Sequence, residues 1–192
     1  MNKRNLTIML IACCITALFS GCANNPARIN YDNRMKAAFN QIQDGDSSEA
    51  LENLQLASQI GQENGYDPTE LQRLSVEAHL VSGNNVEAYS QAKTLLDADP
   101  EDAYANELMG KVLMKEGDYS EAEAHFVKAQ KGYQASDDTS RITDLIALSR
   151  YFRAYEDGNP KLAERYLHEI QDADLQHSVD KAQNNVLAKS LN

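Results

Sequence analysis

Tryptophan is absent from this chain, proline occurs four times in 192 residues, and aromatic side chains make up only 7%. A sandwich or barrel of short strands needs frequent turn punctuation and aromatic or β-branched cores, so this composition argues against one and suits helices. Positive charge is also scarce. Lys and Arg number 18 against 29 Asp and Glu, and two of the 18, Lys3 and Arg4, precede the first apolar run. From residue 22 onward 16 basic side chains face 29 acidic ones, a net of −13. Such a balance speaks against nucleic acid or an anionic lipid surface as partner and reads as a well-solvated acidic exterior.

Cysteine is short as well. Cys13 and Cys14 lie inside the N-terminal apolar run, which leaves Cys22 as the one later thiol. No internal disulfide is then available, and no cysteine can join a histidine on a metal. The four histidines, His79, His125, His168 and His177, do not form an HExxH pair. His125 with Glu121, and His168 with Glu164, have the i, i+4 spacing of surface helix pairs. No GxSxG is present, and Gly110-Lys111 lacks the rest of a phosphate loop. Asp97, Asp99, Glu101 and Asp102 cluster at a turn without the spacing of a calcium loop, and read as solvated. The expectation is a protein with no catalytic residues, no metal and no cofactor.

The N-terminus carries an address. Lys3 and Arg4 precede an apolar run from Leu6 to Phe19, too short to span a bilayer comfortably, followed by Phe19-Ser20-Gly21-Cys22. A positive start, a short apolar middle and small residues at the end form a secretory leader over residues 1–21. The last four residues resemble the lipobox of bacterial lipoproteins, although Phe19 stands where Leu is commoner. That resemblance implies acyl chains on Cys22. Several chains anchor a protein stably where one does so marginally. Ala23 rather than Asp after the cysteine implies sorting to the outer membrane, facing the periplasm. Residues 22–30 then read as a tether of less than about 30 Å.

The body of the chain repeats itself. Residues 103–129 hold Leu108, Met109, Gly110 and Leu113 at helical spacing, a turn at Gly117-Asp118-Tyr119, and a second helix with Ala122, Phe126 and Ala129. Gly110 and Ala122 are small where two helices must approach closely. Gly117 suits a left-handed helix end, and Ser120 with Glu123 has the spacing of a capping box. Gly83 and Ala88 lie 34 residues before Gly117 and Ala122, and Asp99-Pro100 closes that earlier unit. Its first helix carries Leu71, Leu74, Ala78 and Val81. Further upstream, Gly45 to Leu51 echoes the same turn, with Met35, Ala38, Phe39 and Ile42 inward on the helix before it. The four extra residues between the first two units are expected in a loop over Gly61 to Pro68. Downstream, Asp157-Gly158-Asn159-Pro160 with Ala163 marks a fourth, degenerate turn. Leu175, Val179, Ala182, Val186 and Leu191 mark one face of a terminal capping helix.

These units resemble the tetratricopeptide (TPR) repeat. The resemblance implies an all-α superhelical solenoid of about four helix pairs plus a C-terminal capping helix, over 31–68, 69–102, 103–136, 137–174 and 175–192. It also implies that the first helix of each pair lines a groove for a peptide or a partner's helix. Carried over position by position, the groove comprises Arg73, Glu77, Tyr104, Glu107, Lys111, Met114, Lys115, Phe152 and Tyr155, with Asp32, Met35, Phe39, Glu70, Leu80 and Leu145 along the same stripes. Glu77 and Glu107 replace residues of the carboxylate clamp found in chaperone-binding members, so a chaperone tail is not the expected ligand. Tyr151 falls at the position of Gly110 and is expected in the core. Phe152 and Tyr155 are either groove anchors or covered by the terminal helix. Lipoproteins of this plan resemble the pilotins and Tad-type proteins of pilus assembly, which implies a non-catalytic scaffold for a pilus or secretin system. An adaptor in exopolysaccharide export or surface attachment, or one for peptidoglycan enzymes or outer-membrane protein insertion, fits the same residues.

Overall fold

The computed structural model describes residues 25–133 and 139–190, of which 182–190 by backbone alone. The leader, Cys22 and residues 23 and 24 of the tether lie outside the described residues. So do Leu191 and the side chains of Ala182 and Val186 in the expected cap. Every regular element among the described residues is an α-helix. In chain order these are α1 (Pro26–Asp44), α2 (Ser47–Asn64), α3 (Thr69–Ser82), α4 (Asn85–Ala98), α5 (Ala103–Glu116), α6 (Tyr119–Gly132), α7 (Ser140–Glu156), α8 (Pro160–Leu167) and α9 (Ala173–Ser190). α1 packs on α2, and from α4 to α8 each helix packs on the next. The chain is thus all-α, built of helices packed in adjacent pairs. It divides into two compact units, one ending at Leu71 and one beginning at Gln72.

One turn recurs. After α5, Gly117 adopts φ +89°, and the Asp118 N–H reaches back to the Leu113 carbonyl at 3.0 Å. A Cβ at that φ is strained, which is why glycine stands there. The turns after α1, α3 and α7 place Gly45, Gly83 and Gly158 in the same left-handed conformation. The capping box expected at Ser120 does not form. α6 starts at Tyr119 with Asp118 in the cap position, and Glu123 instead pairs with Arg150 and Arg153 of α7, at 2.7 Å each. The turn is so tight that the helix restarts two residues after the glycine.

In the first unit, Tyr31, Ala38 and Ile42 of α1 are buried, as are Ala50, Leu54, Ala57 and Gly61 of α2. Two expectations are corrected here. α1 begins at Pro26, not Tyr31, because the Asn25 side chain accepts the Ala27 N–H and proline sits in the first turn, where its missing N–H costs nothing. Residues 26–30 are therefore helical rather than tether. α2 also runs through Gly61 to Asn64, so the four surplus residues form about one more helical turn instead of a loop. Gly61 keeps that turn close to α1: a Cβ there would lie 3.3 Å from the Tyr31 ring.

In the second unit the core gathers Val76, Ala88, Ala92, Leu108, Val112, Phe126 and Ile142. Val81, expected inward, is 46% exposed. It lies in the last turn of α3, which runs to Ser82, and Val76 is the fully buried valine of that helix. A second cluster joins Tyr151, Ala154, Ala163, Leu167 and Ile170, with Leu175 and Val179 of α9 packed against it. α8 stops at Leu167. Beyond it, the buried Asp144 of α7 accepts the backbone N–H groups of Gln171 and Asp172 at 2.7 and 3.1 Å. Asp172 in turn accepts from the N–H groups of Asp174 and Leu175, starting α9.

Gly110 shows how closely α5 and α6 approach. A Cβ on it would sit 2.5 Å from the Phe126 ring, itself fully buried. In an exposed helix Gly→Ala stabilises by about 1 kcal/mol. Here Gly110→Ala is expected to destabilise by about 1–3 kcal/mol through overpacking. Urea unfolding of Gly110→Ala, Phe126→Leu and the double variant checks this: the double variant should recover part of the loss.

Candidate partner-binding face

Five of the nine expected groove residues meet in one polar ladder along α3, α5 and α7. At its start Arg73 donates to Asp102 at 2.5 Å, and its guanidinium lies over the Tyr104 ring, 5.2 Å from the centroid. The Tyr104 hydroxyl donates to Glu77 at 2.8 Å. Lys111 stands 3.9 Å from Glu77 and 2.7 Å from Glu107. Glu107 then accepts both terminal nitrogens of Arg141, one of them at 2.7 Å, and the Tyr133 hydroxyl at 2.7 Å.

Glu107 was expected to line the groove surface, but it is fully buried. Burial acts to raise its pKa. Arg141, Lys111 and Tyr133 outweigh that and lower the carboxyl from 4.5 to about 2. The same contact raises Tyr133 above the usual phenol range, through burial and the Glu107 charge. Asp102 is also held low: burial opposes ionisation, and the Ala105 N–H and Arg73 overcome it. Its side chain caps α5 by accepting that N–H at 3.0 Å. Asp102, Tyr133 and Arg141 were not singled out from the sequence as site residues. Asp102 had been read as solvated. Arg141 does begin the spacing Arg141, Leu145, Leu148, Phe152, Tyr155 along one stripe of α7, which was the available signal.

Three cations, Arg73, Lys111 and Arg141, meet three carboxylates, Asp102, Glu77 and Glu107. The ladder is therefore neutral and internally hydrogen-bonded. It shapes a face more than it offers a free charge. Beside it, Asn106 donates to the carbonyls of Pro100 and Asp102 at 3.0 and 2.9 Å, which leaves its oxygen facing His125 Nδ1 at 2.9 Å. That nitrogen must then carry the proton. His125 thus turns inward to Asn106 rather than forming the expected surface pair with Glu121, and burial, with Lys128 nearby, lowers its pKa.

The remaining four residues lie toward the other end of the same stripes. Met114 is half-buried against the core, and Lys115 is exposed. Phe152 stacks on Tyr119 at 5.2 Å with the planes 18° apart. Tyr155 stacks on the buried Tyr151 at 6.3 Å and stays 42% exposed. In the first unit Asp32 pairs with Arg28 at 2.9 Å, Ile42 is buried, and Phe39, expected inward, is exposed instead. Elsewhere, a cleft of about 520 Å³ between α8 and α9 is lined by Lys161, Glu164, His168, Gln176, His177 and Asp180. Among the described residues no three His, Cys, Asp or Glu side chains gather as metal ligands, and no helix is long and apolar enough to cross a membrane. No protein-family model matches the chain, and no curated protein matches it.

Glu107 makes stability depend on pH in a defined window. Its folded pKa lies below the unfolded value, so its contribution is whole above about pH 4.5 and is lost as the pH falls toward about 2. Glu107→Gln should therefore be less stable than the parent at pH 7, with the gap closing over that window. Arg141→Ala should cost about 1.5 kcal/mol at pH 7, the low end for hydrogen bonds to a charge because Arg141 is half in solvent. Chemical denaturation at stepped pH measures both.

Proposed function

We propose that the chain is a tetratricopeptide-repeat lipoprotein serving as a non-catalytic scaffold. It is held by lipid on Cys22 at the periplasmic side of a bacterial outer membrane and receives a peptide or helix of an envelope protein along the face formed by α3, α5 and α7. The observation that carries this reading is the alignment of Arg73, Glu77, Tyr104 and Lys111 on the first helices of successive pairs, with Lys115, Phe152 and Tyr155 continuing the same stripes. The 34-residue spacing of Gly83 and Gly117, and the close approach of Gly110 to Phe126, support the repeat assignment. The lipobox-like Phe19-Ser20-Gly21-Cys22 supports the anchor. Assembly of a pilus or secretin system is the first assignment of pathway. Polysaccharide export or surface attachment, and recruitment of peptidoglycan enzymes, are the alternatives.

Incorporation of an alkyne-tagged fatty acid tests the anchor: labelling should depend on Cys22 and vanish in Cys22→Ser. Capture from detergent-solubilised membranes then separates the pathways. A secretin recovered with the parent protein supports the first, a polysaccharide-export protein the second, and murein enzymes the third. Within the recovered complex, Lys115→Glu should change binding about two- to five-fold, the range for an exposed ion pair: weaker where the facing partner residue is an acid, tighter where it is a cation. Lys111→Glu is the poorer probe, because it would set a third carboxylate beside Glu77 and Glu107.

A further inference from the structure

Three times among the described residues an arginine that a carboxylate holds in place lies over one or two tyrosine rings. Arg28 lies over Tyr31 and Tyr66, 5.4 and 5.1 Å from their centroids, and pairs with Asp32 at 2.9 Å. Arg73 lies over Tyr104 and pairs with Asp102. Arg150 lies 6.0 Å from the Tyr166 centroid and pairs with Glu123. The chemistry is the same each time: the negative face of the ring attracts the guanidinium, and the acid fixes its position.

A fourth aromatic surface has the rings and the acids. The stack of Tyr119 on Phe152 brings the α5–α6 turn beside the end of α7, where Tyr155 stands exposed. Glu116 and Asp118 flank the first turn, Glu156 and Asp157 follow Tyr155, and all four are exposed. Glu156 lies close enough to Tyr119 to act on its ionisation. Among the described residues no guanidinium stacks on Tyr119, Phe152 or Tyr155, and of the three arginines of α7, Arg150 and Arg153 are turned to Glu123 and Arg141 to Glu107. Lys115 is the one cation in the adjoining last turn of α5, so four carboxylates there outnumber it.

We propose that this surface receives an arginine or lysine side chain from a basic segment of a protein partner, with Tyr155 and Tyr119 as the aromatic wall and Glu156 and Asp118 as the acids that fix the cation. The proposal rests on the adaptor reading and gives its partner a chemistry. A second copy of this acidic chain, a nucleic acid or an anionic lipid surface would meet repulsion there.

The test uses the full chain in detergent with a fluorescein-labelled peptide of four arginines between glycines, and its citrulline counterpart, which keeps the shape and loses the charge. Fluorescence anisotropy should show the arginine peptide bound at least about tenfold more tightly. Tyr155→Ala should weaken it about two- to five-fold and Glu156→Gln comparably, while Tyr155→Phe retains binding. Glu52→Gln, an exposed acid on α2, should leave it unchanged. Thermal melts of each variant separate lost binding from lost fold. Equal affinity for both peptides, unchanged affinity in Tyr155→Ala, or an equal loss in Glu52→Gln would overturn the site and leave only general attraction to an acidic protein. Such a failure would leave the adaptor reading standing, because Cys22-dependent labelling and partner capture do not depend on Tyr155. Loss of that labelling with peptide binding intact would overturn the anchor alone.

Discussion

A carboxylate with no exposure to water is costly unless its charge is answered, and the cost of burying an ion runs to several kcal/mol. Glu107 is such a group, and its answer comes from three places: Lys111 one turn along α5, Tyr133 at the end of α6, and Arg141 at the start of α7. No one of these elements can shift along its axis without leaving a buried charge short of a partner. Apolar packing of Leu108, Val112, Phe126 and Ile142 brings the helices together, and that packing tolerates small displacements. The Glu107 contacts do not, so they set the register in which successive helix pairs meet.

The same contacts decide what the face along α3, α5 and α7 can offer. Arg73, Lys111 and Arg141 are engaged with acids of the chain itself, so half of the stripe is a rigid neutral surface. The exposed groups lie toward the far end, where Lys115, Tyr155 and the acids of two turns stand in solvent. A face divided in this way has its charges paired within the chain at one end and exposed side chains at the other.

Much of the helical framework was legible because it rests on local rules. Periodic apolar residues, the glycines of the turns, Pro160 at the start of a helix and Asp99-Pro100 at the end of one each act within a turn or two of the backbone. The small size of Gly110 and the core position of Tyr151 were also readable, since each stands seven residues before a turn glycine, Gly117 and Gly158, at a position where helices touch. Errors arose where a residue's role depended on a distant partner or on which competing cap prevailed. Glu107 has the spacing of a groove residue, and Arg141, 34 positions later, holds it inside together with Lys111 and Tyr133. Ser120 and Glu123 have the spacing of a capping box, and the tightness of the glycine turn moves the cap to Asp118. Gly61 reads as a loop signal, and contact with Tyr31 makes it a helix residue.

The sequence by itself determined that the chain is helical, where most helices begin and end, and which small residues mark close approach, because hydrogen-bonding periodicity and backbone sterics are properties of neighbouring residues. Tertiary structure alone decided which charges are paired inside the protein and which remain in solvent. That outcome depends on distances between side chains of different helices, and on the loss of water around Glu107, Asp102 and Asp144, neither of which is written in any local stretch of the chain.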